Sequence, residues 1–341
     1  ILFQKIKLFF NIIIKVRKNK HLEEIQKNYS WIISDGTKGM ENQSIALAKI
    51  LNTNYEIIVF KPPYLLKKFP LLGTVIPRSI IKIDIDKTSL PKFIITTGRR
   101  MAGISLFIKK NFKHPIKNIQ IQDPKIPYKY FDLLLIPEHD NIVGKNIINT
   151  KGALSFIDNN EIKRIDLPIP ENIKNKKKTI ILALIGGNNK RYKPNNTNYY
   201  NLGLDIIKAC QRVNGKLIIS TSRRTPVIAA KILHSMLKKY NVDYYFFSGT
   251  GYNPYPSMIK LANFIIVTSD SVNMISETAS LDTPLFVAYL NKEKGKISNF
   301  LENLEDLMVT KKFHGELFPY NKVKLNTNNE TALKIDKFFC S

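Results

Sequence analysis

Short apolar runs alternate with longer amphipathic segments along most of the chain. In the first half, the runs that predict strands lie at 30–34, 55–60, 92–96, 118–122 and 131–136. Segments 44–51 and 101–111 have the hydrophobic spacing of helices. Strands that alternate with helices predict a parallel sheet with helical crossover connections.

The same pattern restarts after a polar stretch at 168–178, whose prolines and charges are typical of a linker. In the second half, the predicted strands lie at 179–185, 216–220, 243–247, 264–268 and 284–289, and the predicted helices at 199–212, 225–240, 256–262 and 271–281. We therefore expect an α/β protein with two doubly wound, Rossmann-like domains that face a cleft. The expected domains cover 30–167 and 179–320, followed by a tail or helix at 321–341.

Composition excludes a disordered or fibrous chain, because 44% of the 341 residues are hydrophobic. The formal net charge of +26 indicates anionic partners: nucleic acid, phosphorylated metabolites or acidic lipid. The chain has no recognisable nucleic-acid-binding module and no localised basic stripe, so we do not predict a nucleic-acid partner. Cys210 and Cys340 are too few for a disulfide framework, which favours a reducing compartment.

Two segments near the start of the sequence are both apolar and basic. Residues 1–29 predict a helix that either lies at a membrane interface or packs on the protein as an ordinary amphipathic helix. Residues 64–78 repeat this composition, with prolines that prevent one long helix. Neither segment has the uninterrupted apolar length of a spanning helix. We expect a cytoplasmic protein with peripheral contact to the inner face of a membrane.

Loops of the second half follow predicted strands, at the sheet edge where parallel α/β domains bind ligands. Their glycines, hydroxyls and cations, together with a helix N-terminus, suit a diphosphate. The residues predicted to bind phosphate are Gly187, Lys190, Arg191, Ser222, Arg223, Arg224 and Ser271. Glu277 lies nearly two turns beyond Ser271, where a carboxylate suits ribose hydroxyls. Each loop taken alone also fits a simple turn or helix cap.

Loops of the first half carry complementary groups. On this acceptor side the predicted residues are Gly36, Lys38, Gly39, Asn42, Gln43, Arg99 and Arg100. Asp35 and His139 are the candidate general bases, and His139 lies between two carboxylates that could hold its pKa near neutrality. The alternative for His139 is a solvated loop in which Asp140 is a turn residue.

Metal binding is not predicted. The histidines and cysteines lack the spacing of zinc ligands. Asp84 and Asp86 alternate with isoleucines, which fits a strand with one wet face better than a metal site. The phosphate-binding loop of ATPases and the dinucleotide-binding glycine pattern are both missing from the sequence.

Several motifs, in this order along the chain, resemble those of the mitochondrial fission ELM family. They are WIISDGTKGMENQSIALA at 31–48, TTGRRMA at 96–102, IQIQDP at 119–124, FDLLLIPEHD at 131–140, STSRRTP at 220–226 and TSDSVNMISETA at 268–279. The resemblance implies a GT-B-like architecture similar to nucleotide-sugar glycosyltransferases. It also implies that Glu277 binds the donor ribose and that Ser271, Val272 and Asn273 form the helix N-terminus at the phosphates.

The resemblance leaves the base open between Asp35 and His139. Several relatives carry a histidine at the end of the glycine-rich loop, where this chain has Met40, which cannot accept a proton. We expect a metal-independent glycosyltransferase without a cofactor, which moves a sugar from a nucleotide-sugar donor to a lipid-linked or envelope acceptor. The alternative is a non-catalytic, membrane-associated adaptor that recruits a protein partner, as implied by the plant fission factor of this family.

Overall fold

The structure is a computed structural model, which describes residues 28–61, 63–76, 91–111, 116–157, 162, 178–189, 193–249 and 254–340. Several sequence predictions lie outside these residues: the N-terminal helix apart from residues 28 and 29, the linker apart from residue 178, Asp84 with Asp86, and the cations Lys190 and Arg191.

The chain forms two compact units. One contains the described residues up to Phe156 together with those from Thr327 onward, and the other contains the described residues from Ile157 to Asn326. The C-terminal segment thus belongs to the first unit, although it follows the second unit in sequence.

The first unit is built on a six-stranded parallel sheet with the order β2-β1-β3-β4-β5-β6. Its strands are β1 (Tyr29–Ser34), β2 (Asn54–Val59), β3 (Phe93–Thr97), β4 (Lys117–Ile121), β5 (Leu133–Pro137) and β6 (Ile147–Thr150). Its first helices are α1 (Lys38–Ile50), α2 (Tyr64–Lys68) and α3 (Arg99–Asn111). Short 3₁₀ turns lie at Pro70–Thr74, Tyr128–Tyr130 and Glu138–Asp140.

The second unit contains another six-stranded parallel sheet, with the order β12-β11-β10-β7-β8-β9. Its strands are β7 (Ile180–Ile185), β8 (Lys216–Thr221), β9 (Tyr244–Phe247), β10 (Phe264–Thr268), β11 (Leu285–Ala288) and β12 (Lys311–Lys312). Its helices are α4 (Asn196–Arg212), α5 (Val227–Lys239), α6 (Tyr255–Leu261), α7 (Val272–Ala279) and α8 (Lys296–Asp306). The last helix, α9 (Thr327–Cys340), returns to the first unit.

Apolar side chains on both faces of each sheet explain this arrangement. All six residues of β7 are buried, as expected for a central parallel strand covered by helices on both sides. In β1, Trp31 and Ile33 pack with residues of α3, whereas Ile32 packs on the opposite face with residues of α1 and α9. Successive residues therefore serve two cores, which confirms the predicted class of two doubly wound α/β domains.

Strand order fixes where each unit can bind a ligand. In the first sheet the chain passes from β1 to β2 on one side and then places β3 on the other side of β1. In the second sheet, β7 has β8 on one side and β10 on the other. Ligands of open parallel sheets bind beyond the carboxyl ends of such strand pairs. This rule points to the loops after β1 and β3 in the first unit and to those after β7 and β10 in the second.

Within the part of the chain that the structure describes, no helix has both the length and the apolar composition needed to cross a membrane.

Candidate functional site

Asp270 joins loops at the carboxyl ends of three neighbouring strands of the second unit. Its Oδ2 accepts a hydrogen bond of 3.1 Å from the N–H of Gly187, which follows β7, and lies 2.7 Å from Nη2 of Arg224, which follows β8. Its Oδ1 accepts a hydrogen bond of 2.7 Å from Thr268 at the end of β10. The three predicted loops therefore converge on one buried carboxylate.

Thr225 and Gly187 determine how closely two of these loops approach. The Oγ1 of Thr225 lies 2.9 Å from the carbonyl oxygen of Ile185 and 2.8 Å from that of Gly186. A Cβ atom on Gly187 would lie only 2.1 Å from the backbone oxygen of Arg224. Because this distance excludes any side chain, glycine is required here for packing. The sequence predicts Gly187 as a phosphate contact, whereas the structure uses its N–H for Asp270.

The buried ion pair sets the electrostatics of this cluster. Arg224 is 39% exposed at its side chain, whereas Asp270 has no exposed side-chain surface. Burial raises the pKa of Asp270 above its ordinary value, although Arg224, Thr268 and Gly187 act in the opposite direction. Part of the charge of Arg224 is thus committed to Asp270. Arg223 is exposed and makes no hydrogen bond or ion pair with any residue in the described ranges.

Ser222 supports the arginine loop from within. Its N–H donates to the carbonyl oxygen of Ile185 at 2.9 Å, and its Oγ accepts a hydrogen bond of 3.2 Å from the N–H of Arg224. Ser222 is therefore placed to shape the loop that presents Arg223 and Arg224.

Helix α7 begins beside Asp270, and the side chain of Ser271, its N-cap residue, makes no capping hydrogen bond. The carbonyl of Ser271 accepts from the N–H of Ile275 at 3.0 Å. Val272 and Asn273 form the first turn and are half-buried. The positive end of the helix dipole thus lies next to Asp270 and the arginine loop, as an anion site requires.

Glu277 and Tyr255 form a pair on α7 and α6. The hydroxyl of Tyr255 donates to Oε2 of Glu277 at 2.8 Å. Burial raises the pKa of Glu277 to about 7, and the hydrogen bond from Tyr255 limits that rise. Burial, with the charge of Glu277, also raises the pKa of Tyr255 well above its ordinary value. Glu277 Oε1 accepts no hydrogen bond from the residues that the structure describes, so one oxygen remains for a ligand.

Asp35 and Arg100 meet at the carboxyl ends of β1 and β3 in the first unit. Oδ2 of Asp35 lies 3.3 Å from Nη1 of Arg100, and Oδ1 accepts a hydrogen bond of 3.0 Å from the N–H of Thr37. Burial alone would raise the pKa of Asp35, but the contacts with Thr37 and Arg100 outweigh it and lower that pKa. Asp35 is therefore ionised at neutral pH and is a weak base.

The other acceptor-side residues surround the start of α1. Ser34 and Lys38 both hydrogen-bond to the buried carboxylate of Glu41, and Ser34 Oγ also accepts from the N–H of Gly36 at 3.0 Å. Nε2 of Gln43 donates to the carbonyl oxygen of Gly39, and Asn42 is half-buried. Gly36 has φ = +82°, a left-handed conformation that favours glycine.

Arg99, at the start of α3, is exposed, and its Nη2 donates to the carbonyl oxygen of Lys68 at 3.1 Å.

His139 is half-buried in the 3₁₀ turn that follows β5. Strands β3 and β4 lie between β1 and β5 in the sheet, so the ends of β1 and β5 are three spacings, about 14 Å, apart. Asp35 and His139 therefore occupy separate positions along this edge, and they remain alternatives rather than partners.

Asp270, Thr225 and Tyr255 are the residues that sequence reasoning missed. Asp270 lies between Ser269 and Ser271, and a carboxylate in such a sequence is typical of a helix cap or a turn. Its contacts with Gly187 and Arg224 join residues 83 and 46 positions away, and only the folded sheet brings these together. In the described parts of the chain, no group of three or more His, Cys, Asp or Glu residues is arranged to hold a metal ion.

Two solved structures have the same architecture as this chain. One is a Listeria monocytogenes protein proposed to be a UDP-N-acetylglucosamine 2-epimerase, with 9% identity, a TM-score of 0.55 and coverage of 91% of this chain and 88% of the other. The second is Staphylococcus aureus MnaA in complex with UDP, with 12% identity, a TM-score of 0.53 and coverage of 92% and 97%. At such identities the similarity establishes the fold, which is GT-B-like with two Rossmann-like domains.

Sequence comparison gives the family. An uncharacterised protein of Rickettsia prowazekii (strain Madrid E) is 31% identical over 359 aligned positions, which cover 90% of this chain and 99% of that protein. The mitochondrial fission protein ELM1 of Arabidopsis thaliana is 24% identical over 251 positions, which cover 66% of this chain and 58% of the plant protein. The family model described as Mitochondrial fission ELM1 matches residues 38–339. The chain therefore belongs to the mitochondrial fission ELM1 family.

Proposed function

We propose that this protein is a metal-independent glycosyltransferase whose second unit binds a nucleotide-sugar. The convergence of the loops after β7, β8 and β10 on Asp270, beside the start of α7, carries this proposal. The arrangement offers the N–H groups of the first turn of α7 and the guanidinium groups of Arg223 and Arg224 at one edge of the sheet, which is the chemistry that a diphosphate needs. The UDP complex of MnaA, which has the same fold, is consistent with such a ligand.

Each side chain has a distinct role in this proposal. Arg223, which has no partner in the described ranges, neutralises the diphosphate as it leaves, together with the predicted cations Lys190 and Arg191. Asp270 holds Arg224 and the glycine loop in position, so that little rearrangement is needed when the ligand binds. Oε1 of Glu277 accepts a hydrogen bond from a ribose hydroxyl, which fixes the donor.

The first unit supplies the acceptor-side residues. Of the two candidate bases we propose His139, because the contacts with Thr37 and Arg100 lower the pKa of Asp35 and leave its carboxylate a weak base. We propose a lipid-linked or envelope acceptor at the inner face of a membrane, because the exposed part of segment 64–76 is apolar and basic.

Nucleotide binding tests this proposal directly. Titration calorimetry with UDP, GDP and ADP should detect binding of at least one of them by the wild-type protein. Glu277→Ala and Arg223→Ala should each weaken that binding by about tenfold or more, since each removes a hydrogen bond that involves a charged group. Arg212→Ala is the matched control: Arg212 is exposed and paired with Glu316, and its loss should leave binding unchanged.

Two results would contradict the proposal. The first is failure of wild type to bind any of the three nucleotides at millimolar concentration. The second is that the Arg223 and Arg212 substitutions weaken nucleotide binding equally, which would show that binding depends only on the overall charge of the protein. Transfer of radiolabelled sugar from a nucleotide-sugar into the lipid fraction of a membrane extract, lost in Glu277→Ala, would separate a transferase from an adaptor that only binds the nucleotide.

A further inference from the structure

Helix α2 and the adjacent 3₁₀ turn expose a set of large apolar side chains. The exposed fractions are 73% for Tyr64, 61% for Val75, 52% for Phe69, 50% for Leu65 and 39% for Leu71. We call these five residues, with the lysines described next, the α2 surface. Isolated exposed apolar residues are common in proteins, whereas five within twelve positions form a concentration that calls for a partner.

The charged residues of this segment of the sequence are all basic. Lys61, Lys67 and Lys68 are exposed, and Nζ of Lys68 lies 5.5 Å from the centre of the Phe69 ring. The sequence between Glu56 and Asp84 contains no acidic residue. The α2 surface is therefore complementary to a partner that is both anionic and apolar.

The α2 surface is firmly attached to the body of the first unit. Leu66 and Pro70 are buried beneath it, and Nη2 of Arg99 donates to the carbonyl oxygen of Lys68 at 3.1 Å. A Cβ atom on Gly73 would lie 1.9 Å from the backbone oxygen of Gly103, so the turn packs directly on the backbone of α3. The backbone that carries the exposed apolar side chains is therefore fixed against the first unit.

We infer that the α2 surface docks on the surface of an anionic phospholipid bilayer. Apolar side chains with lysines at their margin suit the boundary between headgroups and acyl chains, where the lysines reach the phosphates. An acidic protein partner would satisfy the charge but offers no comparable depth of apolar environment. The inference deepens the membrane part of the proposed function and rests on it, but its test requires no nucleotide and concerns the unit that does not carry the proposed donor site.

Arg99 links this surface to the predicted acceptor side. It contacts the carbonyl of Lys68 in α2 and is followed by Arg100, which pairs with Asp35. A bilayer bound to the α2 surface would therefore lie close to the residues predicted to receive a lipid-linked acceptor.

Co-sedimentation of the full chain with vesicles tests the inference. Wild type should bind vesicles of phosphatidylcholine mixed with phosphatidylglycerol more tightly than vesicles of phosphatidylcholine alone. Lys67→Gln with Lys68→Gln should lower partitioning by roughly thirtyfold, at about 1 kcal/mol for each cation at the membrane. Phe69→Ser with Val75→Ser should lower it by about tenfold or more, since less apolar surface is buried.

The chain offers closely matched controls. Lys238 and Lys239 end helix α5 as Lys67 and Lys68 end α2, both are exposed, and Nζ of Lys239 lies 5.7 Å from the centre of the Tyr240 ring. Lys238→Gln with Lys239→Gln removes the same net charge, and Val143→Ser alters an apolar residue that is 83% exposed. Both controls should leave partitioning within about twofold of wild type, and all variants should keep the wild-type thermal midpoint.

Three results would overturn the inference. Equal losses for the two lysine pairs would assign binding to the net charge of +26. Reduced partitioning in the Lys67 and Lys68 variant but not in the Phe69 and Val75 variant would indicate electrostatic adsorption without insertion. A surface that binds an acidic protein partner would give the same result. Unchanged partitioning in both α2 variants would place membrane contact elsewhere. Because nucleotide is left out throughout, none of these outcomes depends on the donor site.

Discussion

Glu277 is a carboxyl whose surroundings place its titration near physiological pH. Its ordinary pKa is 4.5, and burial raises this to about 7, while the hydroxyl of Tyr255 donates to one of its oxygens. The ionised form is the better acceptor for ribose hydroxyls. A nucleotide bound through this oxygen should consequently bind more tightly as the pH rises through 7.

The pKa of Glu277 can be measured and altered. Carbon NMR of side-chain carboxyls, assigned with Glu277→Gln, should show a midpoint near 7. Tyr255→Phe should raise this midpoint further, because it removes a hydrogen bond that stabilises the ionised form. A midpoint near 4.5, or a lower midpoint in Tyr255→Phe, would show that the carboxyl is not held as described.

The same shift has a consequence for stability. A pKa raised in the folded state means that the folded protein holds this proton more tightly than the unfolded chain does. The contribution of Glu277 to the free energy of unfolding is therefore fully present below about pH 4.5 and is lost as the pH rises through 7. Relative to wild type, Glu277→Gln should gain stability between these pH values in urea titrations.

At the scale of elements, the loop between β7 and α4 is shaped by a contact that only glycine permits. Gly187 lies against the backbone of Arg224, so the strand ends of β7 and β8 come close together without an intervening side chain. The sequence predicts that this loop takes part in a site. It does not reveal the steric reason, because Arg224 is 37 positions away and its approach depends on strand pairing.

Gly187→Ala should destabilise the protein by about 2–3 kcal/mol, because the clash is with backbone atoms that cannot rotate away. Gly144→Ala is the matched control: there a Cβ would approach the flexible end of Ile147 at 3.0 Å, which can move. Chemical denaturation should show a clearly lower midpoint for the first variant. Equal effects at the two positions would contradict the close approach of the loops.

At the scale of the whole molecule, the C-terminal helix α9 completes the first unit. Ile335 is 2% exposed and packs in the core that contains Ile32 and Ile148. Asn328 Oδ1 accepts a hydrogen bond of 3.0 Å from the N–H of Ser155, and Lys151 pairs with Glu330 at 2.8 Å. The first unit thus consists of two pieces of chain.

Ile335→Ala should lower the free energy of unfolding by about 3 kcal/mol, since it opens a cavity in the core of the first unit. Leu333→Ala, at a side chain that is 64% exposed on the same helix, should change it by less than about 0.5 kcal/mol. Hydrogen exchange should locate the loss of protection in β6 and α1. Similar stability changes for both variants would show that α9 does not pack as described.

Apolar runs in the sequence were sufficient to predict most strands of the fold. Strand β10 has the predicted bounds of 264–268, and most other long strands shift by one or two residues. Strands β6 and β12 escaped prediction because they are short and partly polar edge strands. Helix α1 begins at Lys38, six residues before the predicted start, because Gly39 and the polar residues after it weaken the helical pattern.

The candidate site was less accessible from sequence. Loops at strand ends follow from topology, so the regions around Gly187, Arg224 and Ser271 could be selected in advance. Asp270, the carboxylate that joins these regions, could not be predicted from sequence, because its role depends on contacts between distant positions. For the same reason the sequence does not predict which unit helix α9 joins. The helix has an amphipathic face, but its sequence does not specify the surface on which that face packs.

The return of α9 to the first unit bears on how the protein is made. A ribosome synthesises the chain from its N-terminus. Helix α9, which completes the core of the first unit, is therefore synthesised only after every residue of the second unit. The second unit can therefore reach its native state during translation, whereas the first keeps part of its apolar core exposed until α9 has been synthesised.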